Sequence, residues 1–431
     1  MSDPVQTRIH AAGSEGIEKP RLQIGFIPLA DCAPLVIAKE RGFFRKHGLD
    51  VTLSRESSWA SLRDKVVAGA LDAAPMLAPM PLAAALGLGS PSVTLCTGLS
   101  LSLNGNAITV SADLHARLRA ELGTAPQDPA LAGATLARLI AADRERGRPP
   151  LRFGVVFPYS SHDLELRYWL AAAGIDPTHD VRLRVVPPPF MVDHLERDEI
   201  DGYCVGEPWN AVAAQRGSGH TLVTKHQIWN HSPEKLLGVS EPWLERHPNT
   251  HLALLRALLE AACWADATEH RQEVSYVLCG ESFVDAPGDA VQRSLCGDRS
   301  GAAEPNLPVF YRNAATHPWV SHGVWLLGQM LRWGYIEKPF CVRDVAESVY
   351  RPEWHRRAAS DLGLPAPLED DKTEGGHPAP WALEASTEAI AMGPDLFFDG
   401  LRFDPNDWLA YLEALPTSAL RVRLDELADR N

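Results

Sequence analysis

Several shortages narrow the field before any motif is read. The 431-residue chain has only seven cysteines, Cys32, Cys96, Cys204, Cys263, Cys279, Cys296 and Cys341, odd in number and scattered. None falls in a CxxC pair or a Cys/His cluster, so no zinc framework is expected and no metal ligand is assigned. They read as small buried hydrophobes of a reduced, cytoplasmic protein. No block of five or more like charges concentrates the net charge of −14. A basic face for direct nucleic-acid contact or for an anionic membrane is therefore excluded. A buried anion site remains open, because it depends on local donors rather than on net charge.

Long apolar runs are missing from the N-terminus. Residues 1–20 are polar and read as a disordered tail, neither a secretion signal nor a membrane span. Leu29-Ala30-Asp31-Cys32 imitates a lipoprotein cleavage box, but the apolar stretch before it is short and contains Pro28. Catalytic signatures are missing as well. There is no GxSxG, HExxH, P-loop or GxGxxG, and no nucleophile with a local base. No enzyme activity and no cofactor are expected.

What is present is a globular composition, 45% hydrophobic and 22% charged. The length allows two to three compact units of about 100–200 residues. Laid against itself, the chain repeats. Arg21-Leu-Gln-Ile-Gly-Phe-Ile-Pro28 and Leu151-Arg-Phe-Gly-Val-Val-Phe-Pro158 are short apolar strands ending in proline. Helical patterns follow at Pro34–His47 and His162–Ala173, stopped by Gly48 and Gly174, residues suited to a left-handed cap. Strands Val51–Leu53 and Val181–Val186 come next, then a second helix in each copy. Leu71-Asp72-Ala73-Ala74 and Ile200-Asp201-Gly202-Tyr203 open a third strand, a proline loop and a helix ending at Gly87 or Gly217. Two β-α-β-α-β copies predict two α/β lobes with largely parallel sheets.

Asn106–Ser111 reads as a strand leaving the first lobe, and Lys235–Ser240 as the strand that returns. Two crossings make a hinged cleft, where small ligands bind. Residues 21–111 plus 235–431 are assigned to lobe I, with a helix-rich C-terminal elaboration, and residues 112–234 to lobe II. In the elaboration, Pro248–Thr268 and Trp319–Gly334 read as helices and Gly363–Pro380 as an exposed loop.

Hydrogen-bond donors gather at the predicted strand ends and crossings. Ser160-Ser161-His162-Asp163 begins a helix whose free N–H groups and dipole favour an anion. Trp59 starts another helix, Asn104-Gly105-Asn106 turns at the first crossing, and Lys235 stands at the second. Glu207 and Trp209 belong to the proline loop of the second copy. Each has a plain alternative: Ser161 as a simple cap, Trp59 and Trp209 as packing, Asn104-Gly105 as an ordinary turn, Lys235 as surface charge.

A resemblance sharpens these positions. Gly25–Ala38 with Gly42-Phe-Phe44, Ser54–Trp59, Arg63-Asp-Lys65 and Leu71–Pro81 resemble the nitrate/bicarbonate binding-protein family. So do Asn104-Gly105, His162-Asp163, Leu166–Leu170, Val205–Trp209, Pro233-Glu-Lys235 and the tail Phe398-Asp-Gly400 with Phe403-Asp-Pro405. The resemblance spans residues 21–415. It implies a two-lobed, periplasmic-binding-protein-like fold of type II, mixed sheets flanked by helices, closing on a small oxyanion. Ligand contacts are implied at Trp59, Gly105, Asn106, His162 and Lys235, with Ser161, Asp163, Glu207 and Trp209 behind them or in the cleft. Asn106 stands where many relatives have Gln, and Ser161 where Thr is frequent.

Nitrate and nitrite offer only acceptors, and ammonium, indole, amide and imidazole donors match them. Bicarbonate carries a hydroxyl, and its branch of the family is implied to use calcium. No local acidic cluster demands that ion, and Lys235 replaces it, which favours nitrate or nitrite. With no leader read at the N-terminus, the chain resembles the cytoplasmic sensor branch of the family (NasS-type). The implied partner is an ANTAR-type, NasT-like RNA-binding antiterminator, released on anion binding. The alternative is the solute-binding component of an ABC importer whose leader is omitted from the sequence.

Overall fold

The repeat folds as two matching units because its apolar strands end at prolines and its helices end at glycines. The computed structural model describes residues 16–89, 93–123, 128–297, 306–416 and 419–428. β1 (Arg21–Phe26) pairs in parallel with β2 (Asp50–Arg55), and Ile24 bridges in parallel to Ala73, just before β3 (Ala74–Leu77). β4 (Leu95–Cys96) and β5 (Ser100–Leu103) lead to β6 (Asn106–Ser111). The second copy supplies β7 (Arg152–Val155), β8 (Arg182–Val185) and β9 (Gly202–Gly206). β10 (Gly219–Thr224) and β11 (Pro233–Ser240) follow.

The crossing strands change lobes. β6 pairs antiparallel with β9 in a five-stranded sheet of order β10-β6-β9-β7-β8. β11 pairs antiparallel with β3 and with β5 and β4. Each lobe therefore completes its sheet with the strand that follows the other copy. This moves one expected boundary: Asn106–Ser111 belongs to the second lobe's sheet, so lobe I is left at Gly105 rather than after Ser111.

Local chemistry sets the helix ends. The helix expected over Pro34–His47 is broken at Gly42, whose φ of 78° is left-handed, into Ala33–Glu40 and Phe43–Lys46. Ser160 caps the helix Ser161–Ala172, its Oγ accepting the Asp163 N–H at 3.1 Å. Ser58 caps Trp59–Val67 in the same way.

Three further corrections concern the ends of the chain. Residues 1–15 lie outside the described residues, but residues 16–20 are tied down. Glu18 accepts from the Asn249 and Thr250 amides, and Lys19 pairs with Asp72 at 2.5 Å. The C-terminal elaboration is not an appendage of lobe I alone. Helix Val320–Arg332 and Phe397 share one apolar core with Tyr168 and Trp169 of lobe II. The Phe398 amide donates to the Ile228 carbonyl at 3.0 Å and Asn230 to Leu396 at 3.1 Å, so the tail straps the segment returning to lobe I. Nor is Gly363–Pro380 wholly exposed, because Glu374 within it is fully buried. Among the described residues, no helix is long and apolar enough to cross a membrane.

Candidate functional site

The loops after the parallel strands of both lobes face one another, the position where open α/β sheets hold ligands. Asp31 follows β1, Trp59 follows β2, Ser161 and His162 follow β7, and Glu207 follows β9. Asn106 opens β6, while Glu234 and Lys235 lie at the start of β11, beside the end of β3. The lobes touch here: the Ala30 amide donates to the Glu207 carbonyl at 2.8 Å.

The centre of the site is a residue the sequence reading passed over. Glu234 is fully buried and accepts from Asn106 Nδ2 at 2.6 Å, Lys225 Nζ at 2.5 Å, Ser161 Oγ and Lys235 Nζ. His162 Nε2 is 3.5 Å from its Oε1. Burial alone would raise this carboxyl; the Lys225 and Lys235 ammonium groups instead hold it well below the usual range. Lys235 also pairs with Asp31 at 2.8 Å and lies 5.1 Å from the Trp59 ring centroid, within cation–π range. Burial opposes its charge, and Asp31 and Glu234 restore it. His162 is driven the other way, burial pushing it down to about 3, so it is a neutral imidazole.

The structure thus gathers Asn106, Ser161, His162 and Lys235 around Glu234, with Trp59 against Lys235. Gly105 forms the turn just before, at a left-handed φ of 83°, where a Cβ would lie 2.8 Å from Pro308 Cγ. Only glycine fits. The expectation of a site lined by donors alone needs correction, since Asp31 and Glu234 bring carboxylates to it. Asp163 faces away, accepting from Arg167 Nε at 3.0 Å and Tyr335 OH at 2.5 Å. Glu207 lies on the seam between the lobes, accepting from the Ala211 amide and Ser294 Oγ. Burial pushes its carboxyl up to about 7.

Several polar atoms here have no protein partner. The Trp59 and Trp209 indole N–H groups, both His162 ring nitrogens and Asn106 Oδ1 are buried and unbonded. Such atoms are uncommon in folded proteins and call for an explanation, a bound ligand or water being one. Among the described residues no group of three His, Cys, Asp or Glu side chains is placed to hold a metal ion. Asp31, Glu165 and Lys225 joined Glu234 among the residues missed. Asp31 carried a usable signal, lying at the end of the first repeat strand as the Ser161 loop does in the second.

Comparison with known proteins fits this geometry. Residues 15–279 match the model of the NMT1-like family. The chain is 34% identical to the nitrate/nitrite binding protein NrtA of Nostoc sp. strain PCC 7120 over 420 residues, covering 94% of this chain and 88% of that one. The crystal structure of the periplasmic nitrate-binding protein NrtA from Synechocystis PCC 6803 superimposes with a TM-score of 0.80 at 29% identity. That match covers 93% of this chain and 100% of the solved one. The chain belongs to the NMT1-like family and, within it, to the nitrate/bicarbonate binding proteins. Its fold is the two-lobed, type II binding-protein fold, and the NrtA relatives just named are solute-binding proteins. It is also 39% identical, over 94% of its length, to the nitrate import ATP-binding protein NrtC of Synechocystis PCC 6803. It spans only 56% of that relative, so a sequence of this kind also forms part of a longer ATP-binding protein.

Proposed function

We propose that the chain is the anion-binding component of an ABC importer and closes its lobes on a small planar monoanion, with nitrate as the main ligand. One observation carries this: the Trp59 N–H and the His162 ring nitrogens are buried without partners beside the Lys235 ammonium. Nitrate supplies only acceptors, and the indole N–H, the single N–H of the neutral imidazole and the ammonium are donors. Satisfying them offsets the loss of the anion's hydration. The partners of such a component are a membrane permease and its ATPase. Calorimetric titration with nitrate, nitrite and bicarbonate, the last with and without calcium, tests the assignment. Saturating nitrate at about 100 times Kd should stabilise the fold by about 2.7 kcal/mol if only the native state binds.

Asn106 Oδ1 favours a second ligand. Its amide nitrogen is committed to Glu234, so the oxygen is a buried acceptor without a donor. The hydroxyl of bicarbonate would satisfy it, and nitrate would not. A titration in which bicarbonate binds and nitrate gives no heat moves the assignment. Cytoplasmic sensing, with nitrate or nitrite releasing an ANTAR-type antiterminator, would use the same lobe closure. The relatives named above are transport proteins and favour the importer. A candidate antiterminator whose complex with this chain dissolves on adding nitrate would reverse that preference.

A further inference from the structure

Five ionisable side chains form one row across the lobes. Lys225 Nζ lies 3.1 Å from Glu165 Oε1 and 2.5 Å from Glu234 Oε2. Lys235 Nζ contacts Glu234 Oε1 and lies 2.8 Å from Asp31 Oδ2. All five side chains are buried. The row alternates in sign and begins and ends on an acid, so three carboxyl groups face two ammonium groups. A monoanion seated against Trp59, His162 and Lys235 adds one more negative charge to a cluster already short of positive ones. Uncompensated charge in a water-poor interior is strongly unfavourable, and a buried acid relieves it by taking up a proton.

The geometry distinguishes the two terminal acids. Asp31 bonds the ammonium that the anion itself would meet. Glu165 stands at the far end, behind Lys225. Its Oε1 accepts from Ser232 Oγ, and its Oε2 is buried with no partner. A bare carboxylate oxygen there is poorly solvated, whereas a protonated carboxyl leaves only a neutral group. Facing Glu165 are Lys225, Ser232, Glu234 and the Cys204 thiol, and burial keeps that thiol neutral. Asp163, on the same helix, is already committed to Arg167 and Tyr335. Burial raises the Glu165 carboxyl to about 7 despite Lys225 and Ser232, so the proton is exchangeable near neutrality.

We propose that anion capture at this site is coupled to uptake of one proton at Glu165. The inference rests on the anion-binding reading above. It makes Glu165 a positioning residue that never touches the ligand. Potassium nitrate should be titrated into the full chain by calorimetry, in phosphate and in Tris, whose ionisation enthalpies differ. At about pH 8 the apparent enthalpies should differ by the amount for about one proton taken up per nitrate. At about pH 6, where Glu165 already carries its proton, the difference should shrink towards zero. Above about pH 7 the Kd should weaken by up to about tenfold per pH unit. Glu165→Gln should abolish the buffer dependence and flatten Kd against pH. Equal enthalpies in the two buffers at the higher pH, or an unchanged slope in the variant, would overturn the coupling. Should the variant not fold, the wild-type buffer comparison decides alone. Absence of nitrate heat at either pH overturns the anion reading itself, which is a different result from binding without proton uptake.

Discussion

Of the buried charge clusters among the described residues, one is centred on Glu234 at the lobe boundary and another on Glu374 in the C-terminal elaboration. Glu374 uses both oxygens. It accepts from Trp229 Nε1 at 3.2 Å, His322 Nε2 at 3.0 Å and Lys372 Nζ. Burial works against its ionisation, yet Lys372 and His322 hold the carboxyl down to about 2. One acid meets one ammonium, and the carboxylate is saturated. The Glu234 group has three acids for two ammonium groups and is surrounded by indole, imidazole and amide atoms that bond to nothing. Closely similar residue types thus serve two ends. A complete cluster fastens the tail to the segment that returns from lobe II, and, on the anion-binding reading proposed above, an incomplete one is completed by a ligand.

Lys235 gives the largest expected break in this contrast. Lys235→Ala should weaken nitrate binding by about two orders of magnitude, as loss of a charge-assisted bond implies. It should also destabilise the protein by about 3–5 kcal/mol, because Asp31 and Glu234 are left buried without their shared cation. In the sequence, Lys235 stands as a donor at the second crossing, with no acid assigned to it as a partner. The structure gives it both jobs. Titration calorimetry and urea unfolding on the same preparation separate them, and an unchanged Kd would remove Lys235 from the site.

What the sequence could and could not disclose follows from how each feature is encoded. The repeat was legible because strand, cap and turn signals are local: Gly174, expected to end a helix, has a φ of 79° just after Ala173. The exchange of β6 and β11 between lobes was partly legible, as crossings, but not the sheet each would join. Pairing is decided over more than a hundred positions, as between Leu77 and Lys235. Donors at helix starts were found because caps advertise themselves. Glu165 and Lys225 were not, since a charged residue inside or at the start of a helix looks like surface until burial is known. Glu374 was hidden for the same reason, inside a proline-rich stretch that reads as solvent-exposed.

The Glu374 cluster gives the next test. Glu374→Ala removes the shared acceptor of Trp229, His322 and Lys372 and strands a buried ammonium. Stability should fall by about 3–5 kcal/mol, read by denaturant unfolding. Nitrate affinity, measured where the variant is folded, should stay within about twofold, a change of about 0.4 kcal/mol. A tenfold loss of affinity would show that the strap and the site act as one unit, and the contrast drawn between them would fail.

The smallest effect is the most discriminating. Trp59→Phe keeps an aromatic ring beneath Lys235 and deletes the unpartnered indole N–H. In the ligand-free protein that N–H is buried without compensation, and removing it relieves about 1–3 kcal/mol of desolvation, against which the smaller ring loses some packing. Net stability should therefore change little. With nitrate bound, the same atom gains an acceptor, so the variant should lose about 1–2 kcal/mol of affinity, roughly five- to thirtyfold in Kd. No residue of the Glu374 cluster can show this pattern, because each of its donors is already used in the ligand-free fold. Affinity lost without stability separates a donor kept free for a ligand from one that holds the structure together. If Trp59→Phe instead lowered stability and left Kd alone, Trp59 would be packing, and the anion would have to find its donors at His162 and Lys235.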